Sequence, residues 1–167
     1  MSARILVAYA SRKGSTAGIA QATGKELQSA GHTVEVSEMK NVSTLAGYQA
    51  VVIGAPLYMG KMVGDVGKFV GRFSEQLAKM PVAGFAVGLA PASNDTKKVE
   101  DGMKALHAGL APLKPMAATL FAGKLDPAKL SFIQRKMTEF VKSPVGNFRD
   151  WNVITAWARE LPGKMGG

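Results

Sequence analysis

Cysteine is absent from this 167-residue chain, and histidine occurs only at His32 and His107. Without cysteine the chain can form no disulfide, no thiol nucleophile, no thiolate-bound zinc site and no cysteine-ligated iron–sulfur cluster. Neither histidine has a second ligand at metal-site spacing, so we predict no metal centre. The sequence also suggests no catalytic triad and no carboxylate pair, so we assign no particular catalytic residue. Any redox chemistry would therefore need an organic cofactor.

Acidic residues are scarce as well: 12 Asp and Glu stand against 21 Lys and Arg, which gives a formal net charge of +9. Two interpretations stay open, a generally basic surface or an acidic partner such as an anionic small molecule, a membrane surface or nucleic acid. Aromatic residues make up 7% of the chain and do not alternate with basic residues, as a base-stacking surface requires, which disfavours nucleic acid.

Long apolar runs are also missing. No run reaches the roughly 20 residues that span a bilayer. The N-terminal apolar run ends at Ala10 and is followed by hydroxyl and basic residues, not by a signal-peptide cleavage site. We therefore expect a cytoplasmic protein, with contact at the inner face of the membrane kept as an option.

Apolar periodicity predicts strands that alternate with helices. The strands are predicted at residues 4–9, 33–37, 50–54, 83–89 and 117–122. The helices are predicted at residues 15–30, 66–77, 94–110 and 150–161, with a short connector of up to one helical turn at 41–48. Right-handed crossovers then give a single α/β domain over residues 1–167, a flavodoxin-like three-layer sandwich around a five-stranded parallel sheet of order 2-1-3-4-5. Ligands bind such sheets at the carboxyl ends of the strands where the winding direction reverses, here between the first and third strands.

The link between the first strand and the first helix has the composition of a phosphate-binding loop. The backbone N–H groups at a helix start and the helix dipole attract anions, hydroxyls add donors, and glycine allows close approach. The loop reads Ser11-Arg12-Lys13-Gly14-Ser15-Thr16. It lacks the lysine of a nucleotide-triphosphate P-loop and the glycine spacing of a dinucleotide fingerprint. A flavin mononucleotide (FMN) phosphate loop remains, beside an ordinary strand–helix turn in which Ser and Thr cap the helix.

The same loop resembles the flavodoxin phosphate loop, [ST]-x-T-G-x-T, except at Lys13, where a hydroxyl is usual. The segments at 10–16 and 54–61, a basic segment after the fifth strand and the ending Asp150-Trp151…Ala156-Trp157-Ala158-Arg159-Glu160 are similar to one branch of that family. This is the flavodoxin-domain branch that includes menaquinone-dependent protoporphyrinogen dehydrogenase. The resemblance covers essentially the whole chain and implies a flavodoxin-like fold with FMN as cofactor.

The resemblance also implies three segments that contact FMN. The first holds the 5′-phosphate, the loop after the third strand lies along the isoalloxazine ring, and the loop after the fourth strand meets the pyrimidine edge. The residues so assigned are Ser11, Arg12, Lys13, Gly14, Ser15, Thr16, Pro56, Leu57, Tyr58, Met59, Gly60, Lys61, Leu89, Ala90 and Ser93. The third segment has no aromatic residue, so one flavin face should be open to a substrate or an aromatic partner.

Residues 124–149 form a basic insertion after the fifth strand. A helix at 128–142 would carry an apolar face and a basic face. Such a helix can lie on an anionic membrane or bind an acidic ligand, and it can equally cover the edge of the sheet. The last residues, 162–167, are expected to form a frayed tail.

Three functions are compatible with this sequence. The leading one is an FMN-dependent oxidoreductase that moves a hydride or electrons to or from a quinone or porphyrinogen-type substrate, with Arg12 and Lys61 tuning the charge of the reduced flavin. The second is a flavodoxin that carries electrons to a redox partner, which the basic charge disfavours. The third is a binding module that kept the fold without the flavin, and it is motivated by Lys13 and by the missing aromatic residue after the fourth strand.

Overall fold

The computed structural model describes residues 4–10, 15–58, 61–88, 96–111, 113–122, 124–125, 146–147 and 151–164. The strands are β1 (Arg4–Tyr9), β2 (Thr33–Glu38), β3 (Ala50–Tyr58), β4 (Lys61–Met62), β5 (Val82–Gly88), β6 (Ala117–Ala122), β7 (Lys124–Leu125) and β8 (Gly146–Asn147). The helices are α1 (Ser15–Ser29), α2 (Gly64–Arg72), α3 (Ser74–Leu77), α4 (Thr96–Leu110) and α5 (Trp151–Lys164), and a 3-10 turn spans Met39–Asn41.

Five strands form a parallel sheet in the order β2-β1-β3-β5-β6, and β4 pairs antiparallel with β3. Counted along the parallel strands alone, this is the predicted order 2-1-3-4-5, and the α/β fold class is confirmed. The middle of β3 is completely buried at Val51, Val52 and Ile53, as a central strand covered on both faces must be.

Helices cover the two faces of the sheet in two separate apolar layers. On one face, Ile19 and Leu27 of α1 pack with Ile154 and Leu161 of α5 against residues such as Val7. On the other face, α2, α3 and α4 supply Val66, Phe69, Leu77, Leu106 and Leu110. Alternate residues of each strand enter one layer or the other, which gives the three-layer sandwich.

Three of the predicted elements differ from those in the structure. The third strand does not end at Gly54, because its backbone continues to pair with β5 as far as Pro56 and then with β4. The predicted helix over 66–77 is two helices, and Phe73 separates them with a backbone ψ of 23°. The predicted connector turn lies earlier, at Met39–Asn41.

Phe85 of β5 lies against β3 at Gly54. A side chain at position 54 would place its Cβ in the space that the Phe85 ring occupies, so this contact requires glycine. Phe85 is fully buried, and its ring meets Phe121 at 5.6 Å and Trp157 of α5 at 6.0 Å between centroids. This aromatic cluster fixes β3, β5, β6 and α5 against one another near the carboxyl edge of the sheet.

The insertion and the C-terminus are described only in part. Lys124 pairs with Asn147 and Leu125 with Gly146, so the two ends of the insertion lie side by side. The predicted helix at 128–142 lies outside the described residues. The predicted tail is partly helical, because α5 continues to Lys164 and its last turns are held by buried Leu161. No helix in the described part of the chain is long and apolar enough to cross a membrane.

Tyr48 lies at the amino edge of the sheet, and the ionisation of its phenol depends on the contacts made there. Burial raises its pKa above 10.0, and a hydrogen bond from its hydroxyl to the Glu35 carboxylate raises it further, although Arg4 over the ring opposes this. Because the folded state favours the neutral phenol, this stabilisation is complete below about pH 10 and is lost as the pH rises through the raised pKa.

We therefore predict that the free energy of unfolding of the wild type falls more steeply above about pH 10 than that of Tyr48→Phe. Urea unfolding of both proteins at a series of pH values measures the difference. Parallel curves through this range would contradict the assignment.

Candidate functional site

The direction of winding reverses between β1 and β3. β1 leads into α1 on one face of the sheet, whereas β3 leads through β4 into α2 on the other face. The Ala10 N–H donates to the Gly54 carbonyl at 2.9 Å, which holds the two strand ends together. The crevice above these ends is the place where ligands bind in sheets of this kind.

The first turn of α1 opens at this crevice and contains Ser15, Thr16, Ala17 and Gly18. Its N–H groups have no partner within the helix, and the positive end of the helix dipole lies there. The Thr16 side chain is only 1% exposed. Amides and a hydroxyl at a helix start, without a carboxylate in the first turn, form a donor set that suits a phosphate group.

The segment beyond β3 is a hairpin, not the loop predicted from the sequence. Leu57 pairs with Met62 and Tyr58 with Lys61, and the Val63 N–H donates to the Pro56 carbonyl at 3.3 Å. Pro56 and Leu57 are half-buried, whereas the Lys61 side chain is exposed. The hairpin therefore stands at the crevice with a basic side chain directed to solvent.

The structure describes only part of the predicted site. Ser15 and Thr16 begin α1, Pro56, Leu57 and Tyr58 end β3, and Lys61 begins β4, so these lie at the same edge of the sheet. The remaining predicted residues lie outside the described residues: Ser11, Arg12, Lys13, Gly14, Met59, Gly60, Leu89, Ala90 and Ser93. For them the assignment stays a prediction.

The contact between the hairpin and α4 was not predicted from the sequence. Met62 of β4 packs directly on the α4 backbone at Gly109. A usable signal was present, because Leu57 and Met62 are apolar residues on either side of a segment that contains a glycine, and α4 carries glycines within its own span. A segment predicted as a loop gives no reason for an apolar side chain at position 62, whereas a hairpin packed on a helix does.

Comparison with known proteins assigns the family. The flavodoxin domain model matches residues 6–151, and the chain therefore belongs to the flavodoxin domain family. Flavodoxins are FMN-binding redox proteins, and this is the class of protein that the fold and the site define.

Among individual relatives, the chain is similar to protoporphyrinogen IX dehydrogenase [quinone] of Escherichia coli (strain K12). The two are 22% identical over 95% of this chain and 94% of the relative. Among solved structures, a Streptococcus pneumonia flavodoxin superposes with a TM-score of 0.62 at 16% identity, over 97% of this chain and 99% of that one. A mutant of the flavodoxin from Pseudomonas aeruginosa gives 0.58 at 12% identity, over 98% and 99%. These structural likenesses concern the fold alone.

The described residues fit FMN, the cofactor that the family assigns. A phosphate monoester matches the first turn of α1, where Ser15 and Thr16 would hold it. The ring system would lie at the crevice beside the β3–β4 hairpin, against residues Pro56 to Tyr58 and Lys61. Tight binding of a dianionic phosphate is also favoured by the net charge of +9.

We expect Thr16→Val to weaken FMN binding by about tenfold or more, because a hydrogen bond to a charged group contributes roughly 1.5–3 kcal/mol. Thr23→Val is the matched control, since Thr23 is also buried in α1 but donates to the Ile19 carbonyl at 2.9 Å, two turns away from the phosphate. FMN fluorescence titration of both variants measures the dissociation constants.

Gly14→Asp complements this pair by introducing a carboxylate into the predicted phosphate loop, and it should abolish binding. Equal effects of Thr16→Val and Thr23→Val would show that Thr16 does not serve the phosphate.

Proposed function

We propose that this flavodoxin-domain protein is an FMN-dependent oxidoreductase that acts on a quinone or a porphyrinogen-type substrate. The observation that carries the proposal is the similarity to protoporphyrinogen IX dehydrogenase [quinone], which extends over 95% of this chain. That span includes residues on both sides of the basic insertion, so the likeness reaches beyond the phosphate-binding strand and helix.

Charge supports an anionic substrate. The exposed Lys61 ammonium at the crevice and the excess of 21 basic over 12 acidic residues attract a molecule that carries carboxylates. A carrier that docks on a basic redox partner would be repelled by the same charge. We therefore favour a small conjugated substrate over a redox-protein partner, which remains the alternative function.

In this function the described segments of the site have separate roles. FMN, when bound, supplies the transfer of a hydride or of single electrons. The first turn of α1 binds and orients the phosphate. The β3–β4 hairpin supports one side of the ring, and Lys61 stabilises negative charge that develops in the crevice. No proton-transfer residue is assigned among these groups; FMN would supply the redox step, and the protein would supply binding, orientation and charge.

The role of Lys61 is tested by charge reversal. Lys61→Glu should lower kcat/KM for a carboxylate-bearing porphyrinogen by about fivefold to tenfold at low ionic strength, and much less at about 0.5 M salt, where exposed charges are screened. The matched control is Lys79→Glu, an identical change in net charge at an exposed site that follows α3, at the opposite edge of the sheet.

Turnover of a neutral quinone should respond little to either change. Salt-sensitive electron transfer to a redox protein without turnover of quinone or porphyrinogen would instead establish the carrier function. A colourless protein that does not bind added FMN would contradict both and favour the flavin-free module.

The insertion can be removed where its ends meet. Leu125 and Gly146 are directly paired, so an Asn-Gly turn in place of residues 126–145 is compatible with the β7–β8 ladder. If the insertion serves an anionic membrane, wild type should co-sediment with vesicles that contain phosphatidylglycerol at low salt and the shortened protein should not, while both bind FMN equally.

Vesicles of phosphatidylcholine alone are the control for charge. Failure of the wild type to bind the anionic vesicles would contradict the membrane role. A marked loss of thermal stability in the shortened protein would then favour the other interpretation, a cover for the edge of the sheet.

A further inference from the structure

α4 carries two glycines that lie seven residues apart and therefore on one face of the helix: Gly102 in its middle and Gly109 in its last turn. A glycine in the interior of a helix destabilises it by about 1 kcal/mol relative to alanine. Two such residues in a helix of 15 residues call for a reason in the packing.

At Gly109 that reason is the hairpin, whereas Gly102 lies nearest to Leu120 of β6. A Cβ at position 109 would lie 2.6 Å from Cγ and 2.8 Å from Cβ of Met62, and a Cβ at position 102 would lie 2.8 Å from Leu120 and 3.4 Å from Leu57. The Cβ of Met62 is fixed to its own backbone, so a rotamer change of Met62 cannot relieve the whole clash. The β4 strand and the α4 backbone must separate if anything larger than glycine stands at 109.

Helical glycines of this chain differ in how closely they are packed, and Gly24 of α1 is also crowded, since a Cβ there would lie 2.5 Å from Val36. At Gly67 and Gly71 of α2, nothing lies within 4 Å of the position that a Cβ would take. Alanine would fit at either position, so these residues provide controls of the same type in a neighbouring helix.

We propose that Gly109 and Met62 are positioning residues for the flavin site. Met62 pairs with Leu57, and its neighbour Lys61 pairs with Tyr58, so a displacement of Met62 displaces both strands of the hairpin. α4 thereby sets the height of the hairpin over the carboxyl edge of the sheet. The inference rests on the proposed function, in which this hairpin lies along the isoalloxazine ring.

The experiment compares Gly109→Ala with Gly71→Ala. Gly109→Ala should raise the FMN dissociation constant roughly tenfold and shift the reduction potential of the bound FMN. Gly71→Ala should leave both unchanged and keep or raise the thermal stability. Adding Met62→Gly to Gly109→Ala removes both clashing atoms and should recover much of the FMN affinity, which a merely destabilised protein would not do.

Equal FMN affinity and potential in wild type and Gly109→Ala would overturn this inference alone. Absence of FMN binding by the wild type would overturn it together with the proposed function. If Gly109→Ala does not fold, Met62→Gly in the wild-type background takes its place, because it removes both Met62 atoms that contact α4 and, unlike in the double variant, no methyl group at position 109 replaces them, so FMN should bind more weakly. Wild-type affinity in that variant would overturn the inference too.

Discussion

The pairing of β1 with β3 is the interaction on which the candidate site depends. Their shared register runs from Ile5 opposite Ala50 to Tyr9 opposite Gly54, and the Ala10–Gly54 hydrogen bond extends it by one step. Because the two strands send their following segments to opposite faces, a crevice must open above them. The first turn of α1 borders it on one side and the β3–β4 hairpin on the other, so the topology itself brings together the predicted phosphate donors and the segment proposed to face the ring.

Close backbone approach sets the fine geometry around this crevice. Glycine at 54 lets the Phe85 ring lie against β3, and glycine at 109 lets β4 lie on α4. Both contacts join elements that are distant in sequence, one at the middle of β3 and the other at β4, which pairs with the end of β3. Apolar burial holds the layers together, whereas these contacts determine the spacing between particular backbones to within the width of a methyl group.

Hydrophobic periodicity predicted the strands and helices in which apolar residues recur regularly, and it missed features that depend on single residues. The bounds of β1 and β6 were predicted correctly because alternate or continuous apolar residues mark buried strands. The extension of β3 was missed because Pro56 resembles a loop residue, although its missing N–H is tolerated there. The hairpin contact with α4 was missed because two adjacent residues of β4 show no period. The position of Thr16 followed from the loop pattern, but its burial, which distinguishes it from an ordinary exposed cap, required the three-dimensional packing.

Cofactor and substrate are specified by different parts of this chain. The predicted phosphate donors lie in the first turn of α1, and membership of the flavodoxin domain family assigns FMN as the cofactor. A substrate must instead be recognised by groups that border the flavin, and a fold shared by many functions does not dictate them. In this chain the hairpin with Lys61 is the described segment that the proposed function assigns to this role. The hairpin is an addition to the parallel sheet, and it brings the exposed Lys61 to the crevice. The proposed anionic substrate is consistent with this position, because a positive charge beside the crevice would change encounter and binding without disturbing the predicted phosphate site.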